Sequence, residues 1–323
     1  MRAVRVHEKG GPEMLRLEEA PDPEVGTGEV LIRVHAVGVN FADHLMRIGA
    51  YPAGDPPIVP GLEAAGVGER VGSDVTGIDP GQRVMAWTRQ NYAELAVAPA
   101  WAVCTAPANL AMEEVAAIPV AFGTAWHALV STAGLQRNEW VLAHAAGSGV
   151  GSAAIQVARQ LGAHVIATAG QDWKLERARA LGAEAFVNYQ TQDDVAGEVR
   201  SITDGRGVDV VLEGVGRATF PASVRSLAFA GRLVIYGAPS GPRVELDTRE
   251  AISRNLTLYG ISITTSPRFR DTIQAFAREV IPLFESGALR PVIDRVYPLE
   301  SAGEAHQRMM DREQFGKLVL KVA

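Results

Sequence analysis

The chain of 323 residues contains a single cysteine, Cys104, and this scarcity limits its chemistry. An intrachain disulfide needs two cysteines, and the common structural zinc modules need several. We therefore expect Cys104 to be a small buried residue, and disulfide scaffolds and cysteine-rich zinc modules are excluded.

An excess of positive charge and long apolar runs are also lacking. Lys and Arg number 31 against 37 Asp and Glu, which gives a net charge of -6, and no Lys/Arg run stands out. A nucleic-acid-binding surface is usually basic. We find no uninterrupted apolar stretch that could span a bilayer and no signal-peptide pattern at the N-terminus. The sequence therefore predicts a soluble cytoplasmic protein that binds neither nucleic acid nor membranes.

A cluster of glycines after an apolar run is the most informative feature of the sequence. Trp140 to Ala143 is followed by glycines at 147, 149 and 151, and then by a helix pattern of small residues from Ser152. Glycines let a backbone approach phosphates, and a helix N-terminus offers N–H groups and a partial positive charge. This strand, turn and helix predict a dinucleotide site. Because the glycine spacing departs from the G-x-G-x-x-G fingerprint, a tight turn without a ligand is the alternative.

The patterns on either side of this turn predict different architectures. Before about residue 120 the chain reads as short strands separated by turns, with a long strand from Glu29 to Val39. From about 120 to 260 strands and helices alternate, which predicts a parallel sheet covered on both faces. The predicted helices include Lys174 to Leu181, stopped by Gly182, then 222–229, and a long one from Arg270 to Ser286. The predicted domains are 1–120, 121–260 and a C-terminal return to the first domain at 261–323.

Further motifs lie along essentially the whole chain: Val39 to Asp43 with Tyr51-Pro52, Pro60 to Gly66, Gly123 to Ala125, Ala145 to Gly151, Lys174 to Ala178, Val187 to Tyr189 and Gly214 to Gly216. Together they resemble the medium-chain dehydrogenase/reductase superfamily, and within it the zinc-free quinone oxidoreductases. The resemblance implies an α/β protein with a GroES-like β-rich domain and a Rossmann domain holding a doubly wound parallel sheet. It also implies NADPH as cofactor and a homodimer. Relatives usually have glycine where this chain has Ser148, whose hydroxyl can itself donate to phosphate.

The ligands of the zinc-dependent branch are replaced at their expected positions. The first cysteine position falls at Asn40 or Phe41, and the usual Gly-His-Glu reads Gly61-Leu62-Glu63. Catalytic zinc needs about three protein ligands. His35 and His44 remain nearby, but a stray histidine is more often a surface or core residue. We predict no metal, and reduction of a quinone or activated C=C then fits better than alcohol oxidation, since the substrate's own carbonyl absorbs the hydride's charge.

The choice of nicotinamide nucleotide is predicted from the second strand of the Rossmann unit. An NAD site usually has an acid about 20 residues past the glycine turn, on the ribose 2′-hydroxyl. Here the strand ends at Ala167 to Gly170 without an acid, and Lys174 and Arg177 follow. Lys174 and Tyr189 match family residues that hold a 2′-phosphate, which favours NADPH, although Asp172 opposes a phosphate if it points inward. The alternative is that Lys174 and Arg177 form an ordinary solvated helix face.

The remaining cofactor contacts are predicted from family positions and from the carboxyl ends of parallel strands, which face the ligand crevice. Thr124 matches a nicotinamide contact, with a helix-start hydroxyl as the alternative. The full predicted set is Asn40, Thr124, Gly147, Ser148, Gly149, Val150, Thr168, Gly170, Lys174, Tyr189, Gly214, Val215 and Gly237.

Three residues are predicted to act on the substrate: Asn40, Asp43 and Tyr51. Asn40 is a candidate hydrogen-bond partner for a substrate carbonyl or the nicotinamide ribose, whereas Glu63 is expected to fix its loop. Tyr51 matches a tyrosine proposed as proton donor in related enoyl reductases, and a wall residue is the alternative. The sequence thus predicts hydride transfer from NADPH to a quinone or an α,β-unsaturated carbonyl. An enoyl-thioester reductase and a nucleotide-binding protein without enzymatic activity stay open.

Overall fold

Two large β-sheets, each in its own unit, organise the structure, a computed structural model that describes residues 1–263 and 265–322. The first unit comprises Met1–Val120 and Ile273–Ala323, and the second comprises Ala121–Thr272. From the sequence, the second division is predicted at residue 260. The segment up to Thr272 belongs to the second unit because Thr272 Oγ1 lies 2.8 Å from His127 Nδ1 and the Phe269 ring meets the His127 imidazole edge-on.

The strands are β1 Arg2–Arg5, β2 Arg16–Glu19, β3 Glu29–Val39, β4 Glu63–Val71, β5 Arg83–Trp87, β6 Leu95–Pro99, β7 Val103–Thr105, β8 Trp140–Ala143, β9 His164–Ala169, β10 Ala185–Asn188, β11 Val208–Glu213, β12 Leu227–Ile235, β13 Thr257–Gly260, β14 Ile293–Pro298 and β15 Lys317–Lys321. The α-helices are α1 Phe41–Arg47, α2 Met112–Val115, α3 Pro119–Trp126, α4 Gly149–Gln160, α5 Asp172–Leu181, α6 Val195–Ile202, α7 Phe220–Ser226, α8 Thr248–Ser253, α9 Phe269–Glu279, α10 Ile281–Glu285 and α11 Ala302–Met310. Short 3₁₀ turns lie at Pro12–Met14, Ala100–Ala102 and Leu299–Ser301, and His127–Thr132 is π-helical.

The first unit is built on a seven-stranded sheet in the order β14-β15-β3-β4-β5-β7, with β6 also paired to β3. The long strand β3 runs antiparallel to β4, β6 and β15. In the last pairing Leu318 lies opposite Val39, so the end of the chain adds a strand beside β3. Buried aliphatic side chains of β3 and β15, with α11, form one core.

The second unit holds a six-stranded parallel sheet in the order β10-β9-β8-β11-β12-β13. From β8 the chain first adds β9 and β10 on one side, and then crosses to add β11, β12 and β13 on the other. The strand order therefore reverses between β8 and β11, and the predicted doubly wound parallel sheet is confirmed. Ligands of such sheets bind at the carboxyl ends of the strands beside this switch point.

Two predicted helices are wrong in part, each for an identifiable reason. The helix predicted from Arg270 to Ser286 is divided into α9 and α10, because Pro282 lacks an N–H and its ring obstructs the preceding turn. The helix predicted over 222–229 ends at Ser226. Leu227 instead begins β12 and pairs with Val208, where it is completely buried, so the sheet overrides the local helix pattern.

One helical stretch of the described chain, Met112–Thr132, is long and apolar enough by composition to cross a membrane. The expectation that no such stretch exists is therefore wrong. However, 83% of an apolar 18-residue segment of this stretch is buried inside the protein, as in the core helix of a globular protein. Length and composition alone are weak evidence for a membrane span.

Candidate functional site

The turn between β8 and α4 is tight and closely packed. Ala145 has a positive φ of 52°, although it is not a glycine. Ser148 is the N-cap of α4, and its Oγ accepts the N–H of Gly151 at 2.9 Å. A Cβ added to Gly151 would lie 2.3 Å from the Ala145 carbonyl oxygen, so only glycine fits there. The unusual serine thus caps the helix, and its hydroxyl hydrogen remains available as a donor.

The first turn of α4 offers backbone donors at the switch point of the sheet. Gly149 and Val150 are its first two residues, and their N–H groups have no intrahelical partner. Within the described chain no backbone hydrogen bond is made by either group. This N-terminus also carries the positive end of the helix dipole. With Gly147 before it, the turn suits an anion such as a diphosphate, and the contacts predicted at residues 147 to 150 stay predictions.

The end of β9 presents an aromatic ring beside a glycine. A Cβ added to Gly170 would lie 2.8 Å from Cε2 of Tyr189, whose side chain is 41% exposed. Lys174 Nζ lies 5.3 Å from the centroid of the Trp173 ring. Asp172 Oδ1 accepts a hydrogen bond from Asn188 Nδ2 at 2.6 Å. The acid that opposed a 2′-phosphate in the sequence analysis is therefore engaged by an amide of the next strand.

The turn after β11 is shaped by a buried carboxylate. Glu213 is 0% exposed, and its Oε1 accepts the N–H groups of Val215 and Gly216 at 2.7 and 2.9 Å. A Cβ on Gly214 would lie 2.2 Å from the Tyr236 ring, so the backbone approaches this side chain closely. Glu213 therefore fixes the turn that carries two predicted cofactor contacts, Gly214 and Val215.

Two of the predicted cofactor contacts have a different setting from the one expected. Thr168 is 0% exposed, and its Oγ1 lies 2.9 Å from His144 Nδ1, so its side chain points into the sheet's interior and not towards a ligand. Thr124 lies well inside α3 and is 6% exposed, so the alternative of a helix-start hydroxyl is wrong.

In the first unit, Asn40 belongs to a buried ionic network. Its Nδ2 donates to Glu63 Oε1 at 2.8 Å and to the Gly38 carbonyl at 3.1 Å. The Lys317 ammonium donates to Asn40 Oδ1 at 2.5 Å, to the Val39 carbonyl at 3.0 Å, and forms an ion pair with Glu63 Oε1 at 2.6 Å. The amide hydrogens of Asn40 are thus used internally, and one lone pair on Oδ1 remains for a ligand.

Asp43 is also an internal anchor. Its Oδ2 accepts the Asn40 N–H at 2.8 Å and the Tyr92 hydroxyl at 3.2 Å, and its Oδ1 accepts the Gly61 N–H at 3.1 Å. Burial raises the pKa of Asp43 to about 7, against the opposing effect of the Asn40 N–H. Because the side chain is 0% exposed, the predicted direct role on the substrate is replaced by one in positioning α1 and the Gly61 loop.

A histidine continues this network below Tyr92. His306 Nε2 lies 3.1 Å from the Tyr92 hydroxyl, and burial lowers the pKa of His306 to about 3. A neutral His306 protonated at Nε2 donates to Tyr92, whose hydroxyl then donates to Asp43. Three members of this network, Tyr92, His306 and Lys317, were not predicted from the sequence. Of these three, Lys317 has a sequence pattern that points to a buried charge, since it lies directly beside the apolar run Leu318 to Leu320.

Tyr51 follows α1 in a short turn. Its N–H donates to the Leu45 carbonyl at 3.1 Å, and its side chain is partly exposed. Its role as proton donor stays a prediction.

Other groups lie at the positions where the zinc-dependent branch of the superfamily has its metal ligands. Among the described residues no cluster of three or more His, Cys, Asp or Glu could hold a metal ion. At Asn40 and Glu63, the Lys317 ammonium instead satisfies the oxygens that converge there. The donor set needed for catalytic zinc is therefore not assembled around these residues.

Comparisons of the sequence identify both parts of the chain. Residues 26–125 match the family described as alcohol dehydrogenase GroES-like domain, and residues 149–278 match the family described as zinc-binding dehydrogenase. The chain is 34% identical to quinone oxidoreductase of Mus musculus over 328 residues, covering 99% of this chain and 97% of the relative. It is 35% identical to 2-haloacrylate reductase of a Burkholderia species over 331 residues, covering 98% of each. The predicted GroES-like domain is confirmed.

Solved structures agree with these matches. A mycobacterial protein complexed with NADPH superposes with a TM-score of 0.94 at 36% identity, covering 100% of both chains. Escherichia coli quinone oxidoreductase complexed with NADPH gives a TM-score of 0.93 at 30% identity, again covering 100% of both chains. The chain therefore belongs to the zinc-free quinone oxidoreductase family of the medium-chain dehydrogenase/reductase superfamily.

Proposed function

We propose that this protein is an NADPH-dependent oxidoreductase that reduces a quinone or an α,β-unsaturated carbonyl compound. The observation that carries the proposal is the turn from Ala145 to Gly151, which presents the N-terminus of α4 at the switch point of a parallel sheet. Two structural neighbours, at 36% and 30% identity, are complexed with NADPH. When bound, NADPH supplies the hydride.

The residues of the second unit bind and orient the nucleotide. The N–H groups of Gly149 and Val150, with the Ser148 hydroxyl, hold the diphosphate. Lys174 and Tyr189 hold the 2′-phosphate, since an ammonium and an exposed phenol both donate to phosphate oxygens. Gly214, Val215 and Gly237, at the ends of β11 and β12, line the nicotinamide side. Gly170 leaves room for the Tyr189 ring.

The proton is delivered by a protein side chain or by water. Tyr51 is the candidate donor, because a phenol can protonate an enolate formed after hydride transfer. The Asn40 Oδ1 lone pair orients a donor group of the ligand, while Lys317 and Glu63 keep that amide fixed. After hydride transfer to a quinone, the hydroquinone anion takes its one proton from water and does not need Tyr51.

The substrate class is tested by following the reduced-nicotinamide absorbance with four acceptors side by side: a simple quinone, an enone, a 2-haloacrylate and an enoyl thioester. We expect turnover with the quinone or the enone. The 2-haloacrylate is included because a relative of 35% identity carries that activity in its name. Turnover confined to the thioester would favour the alternative of an enoyl-thioester reductase, and NADPH binding without any turnover would favour a nucleotide-binding protein without enzymatic activity.

The cofactor preference is tested with Lys174→Met. Loss of a charged contact to the 2′-phosphate should raise KM for NADPH by on the order of tenfold or more and leave KM for NADH unchanged. Arg179→Met is the matched control, because Arg179 lies on the same helix and its guanidinium packs 4.6 Å from the Phe186 ring. Equal effects of the two variants, or a wild-type preference for NADH, would contradict the assignment.

The homodimer and the cytoplasmic location stay predictions. Sedimentation analysis tests the first, and cell fractionation tests the second.

A further inference from the structure

A buried chain of hydrogen bonds joins three strand ends in the second unit. It runs from Thr168 Oγ1 to His144 Nδ1 at 2.9 Å, from His144 Nε2 to Ser223 Oγ at 2.9 Å, and from Ser223 Oγ to Glu213 Oε2 at 2.5 Å. All four side chains are at most 2% exposed. They come from β9, the residue after β8, helix α7 and the end of β11. The hydrogen-bond network therefore crosses the sheet beside its switch point.

The donors and acceptors allow one consistent direction along this chain. The Glu213 carboxylate only accepts, so Ser223 donates to it and must accept from His144 Nε2–H. His144 Nδ1 is then an acceptor for the Thr168 hydroxyl. Burial lowers the pKa of His144, with Glu213 acting in the opposite sense, so the imidazole is neutral as this pattern requires. Ser223 Oγ also lies 3.0 Å from the Thr219 carbonyl, a longer contact than the one to Glu213.

Each end of this hydrogen-bond network holds a turn that carries predicted cofactor contacts. At one end the Thr168 carbonyl accepts the N–H of Ala146 at 3.0 Å, which fixes the glycine turn before α4. At the other end Glu213 Oε1 accepts the N–H groups of Val215 and Gly216. The two turns leave neighbouring strands, β8 and β11, on the two sides of the switch point.

We propose that His144 and Ser223 are positioning residues that hold these two turns in the arrangement that NADPH requires before it binds. This rests on the proposed function, since it presumes that the two turns contact NADPH. Neither side chain touches the nucleotide. Their contribution is to keep the backbone of both turns in place, which lowers the ordering cost of binding.

The test is Ser223→Ala, which removes the central hydroxyl with little change in volume. We expect the Kd for NADPH, measured by its fluorescence, to rise roughly three- to tenfold, as for the loss of one or two hydrogen bonds. The amides of Val215 and Gly216 in the ligand-free protein should also exchange with deuterium faster. The value of kcat at saturating NADPH should change little.

Ser226→Ala is the matched control, because Ser226 lies on the same helix, is equally buried and donates only to the Ala222 carbonyl of its own helix. It should leave the Kd and the exchange rates unchanged. His144→Leu should behave like Ser223→Ala, and His144→Gln, which keeps a donor towards Ser223, should restore part of the affinity. Each variant's thermal midpoint is measured alongside.

Three outcomes overturn the inference in distinguishable ways. If the wild type binds NADPH and Ser223→Ala leaves both Kd and exchange unchanged, the positioning role is wrong while the proposed function stands. If Ser223→Ala and Ser226→Ala weaken binding equally, the hydrogen-bond chain has no special role. If the wild type does not bind NADPH, the proposed function and this inference both fail. The exchange data then still report whether the hydrogen-bond network orders the two turns.

Discussion

Single residues in this protein take their roles from partners that lie far along the sequence. Asn40 and Asp43 were predicted from the sequence as site residues, yet each uses most of its hydrogen-bonding groups on other protein groups. A buried polar group left without a partner is costly, so such groups are paired first. Only the capacity that remains serves a ligand.

Asp43 provides a prediction for pH dependence. Its pKa is about 7 in the folded protein, against about 4 when unfolded. Below pH 4 both states hold the proton and the stabilising contribution is complete. Between about 4 and 7 the unfolded state loses its proton first, so this contribution is lost as pH rises.

Asp43→Asn removes this titration. The difference in unfolding free energy between wild type and variant should therefore fall by about 3–4 kcal/mol from pH 4 to 8. Urea unfolding of both proteins across this range measures it, and contributions shared by both proteins cancel in the difference. Parallel pH profiles would show that Asp43 keeps an ordinary pKa.

At the scale of elements, the start of α4 places a structural role and a proposed cofactor contact on one residue. Ser148 caps the helix through the Gly151 N–H, and the same hydroxyl is the proposed phosphate contact. The cap and the contact to phosphate can be separated by comparison with another N-cap. Asp194 caps α6 in the same way, accepting the Gly197 N–H at 3.1 Å, and has no assigned part in cofactor binding.

Ser148→Ala and Asp194→Ala should each lower the unfolding free energy by about 1 kcal/mol, the usual loss for an N-cap. Only Ser148→Ala should also weaken NADPH binding, by roughly three- to tenfold for one lost hydrogen bond to a charged group. Thermal unfolding and NADPH titration measure the two effects. An unchanged Kd for Ser148→Ala would assign the serine to the cap alone.

At the scale of the whole chain, one buried ion pair joins its beginning to its end. Lys317 on β15 is 5% exposed and contacts Glu63 on β4, which is 0% exposed. Between these strands lies β3, so the pair fixes the C-terminal strand against the N-terminal part of the same sheet. The charges are deeply buried, and each depends on the other for compensation.

Lys317→Met should lower the unfolding free energy by about 3–5 kcal/mol, because it leaves the Glu63 charge buried without its partner. The double variant Lys317→Met/Glu63→Gln should recover part of this loss. Lys321→Met, on the exposed end of the same strand, is the control and should change stability by less than about 0.5 kcal/mol. Urea unfolding measures all three, and a loss no larger than the control's would show that the pair contributes little.

The sequence by itself determined the features that depend on neighbouring residues. The strand β3 was predicted at its observed bounds, and the helix α5 ends at Leu181, just before Gly182, whose φ is +108°. The glycine turn and the parallel sheet after it were also predicted, because alternation, turn chemistry and helix capping act within a few residues.

Only the tertiary structure decided which polar side chains face a ligand and which serve the scaffold. Thr168 turns to His144, and Leu227 leaves its helix to pair with Val208. Lys317 meets Glu63 across most of the length of the chain. Local patterns report none of these contacts, since partners are chosen by burial and hydrogen-bond satisfaction after distant segments have come together.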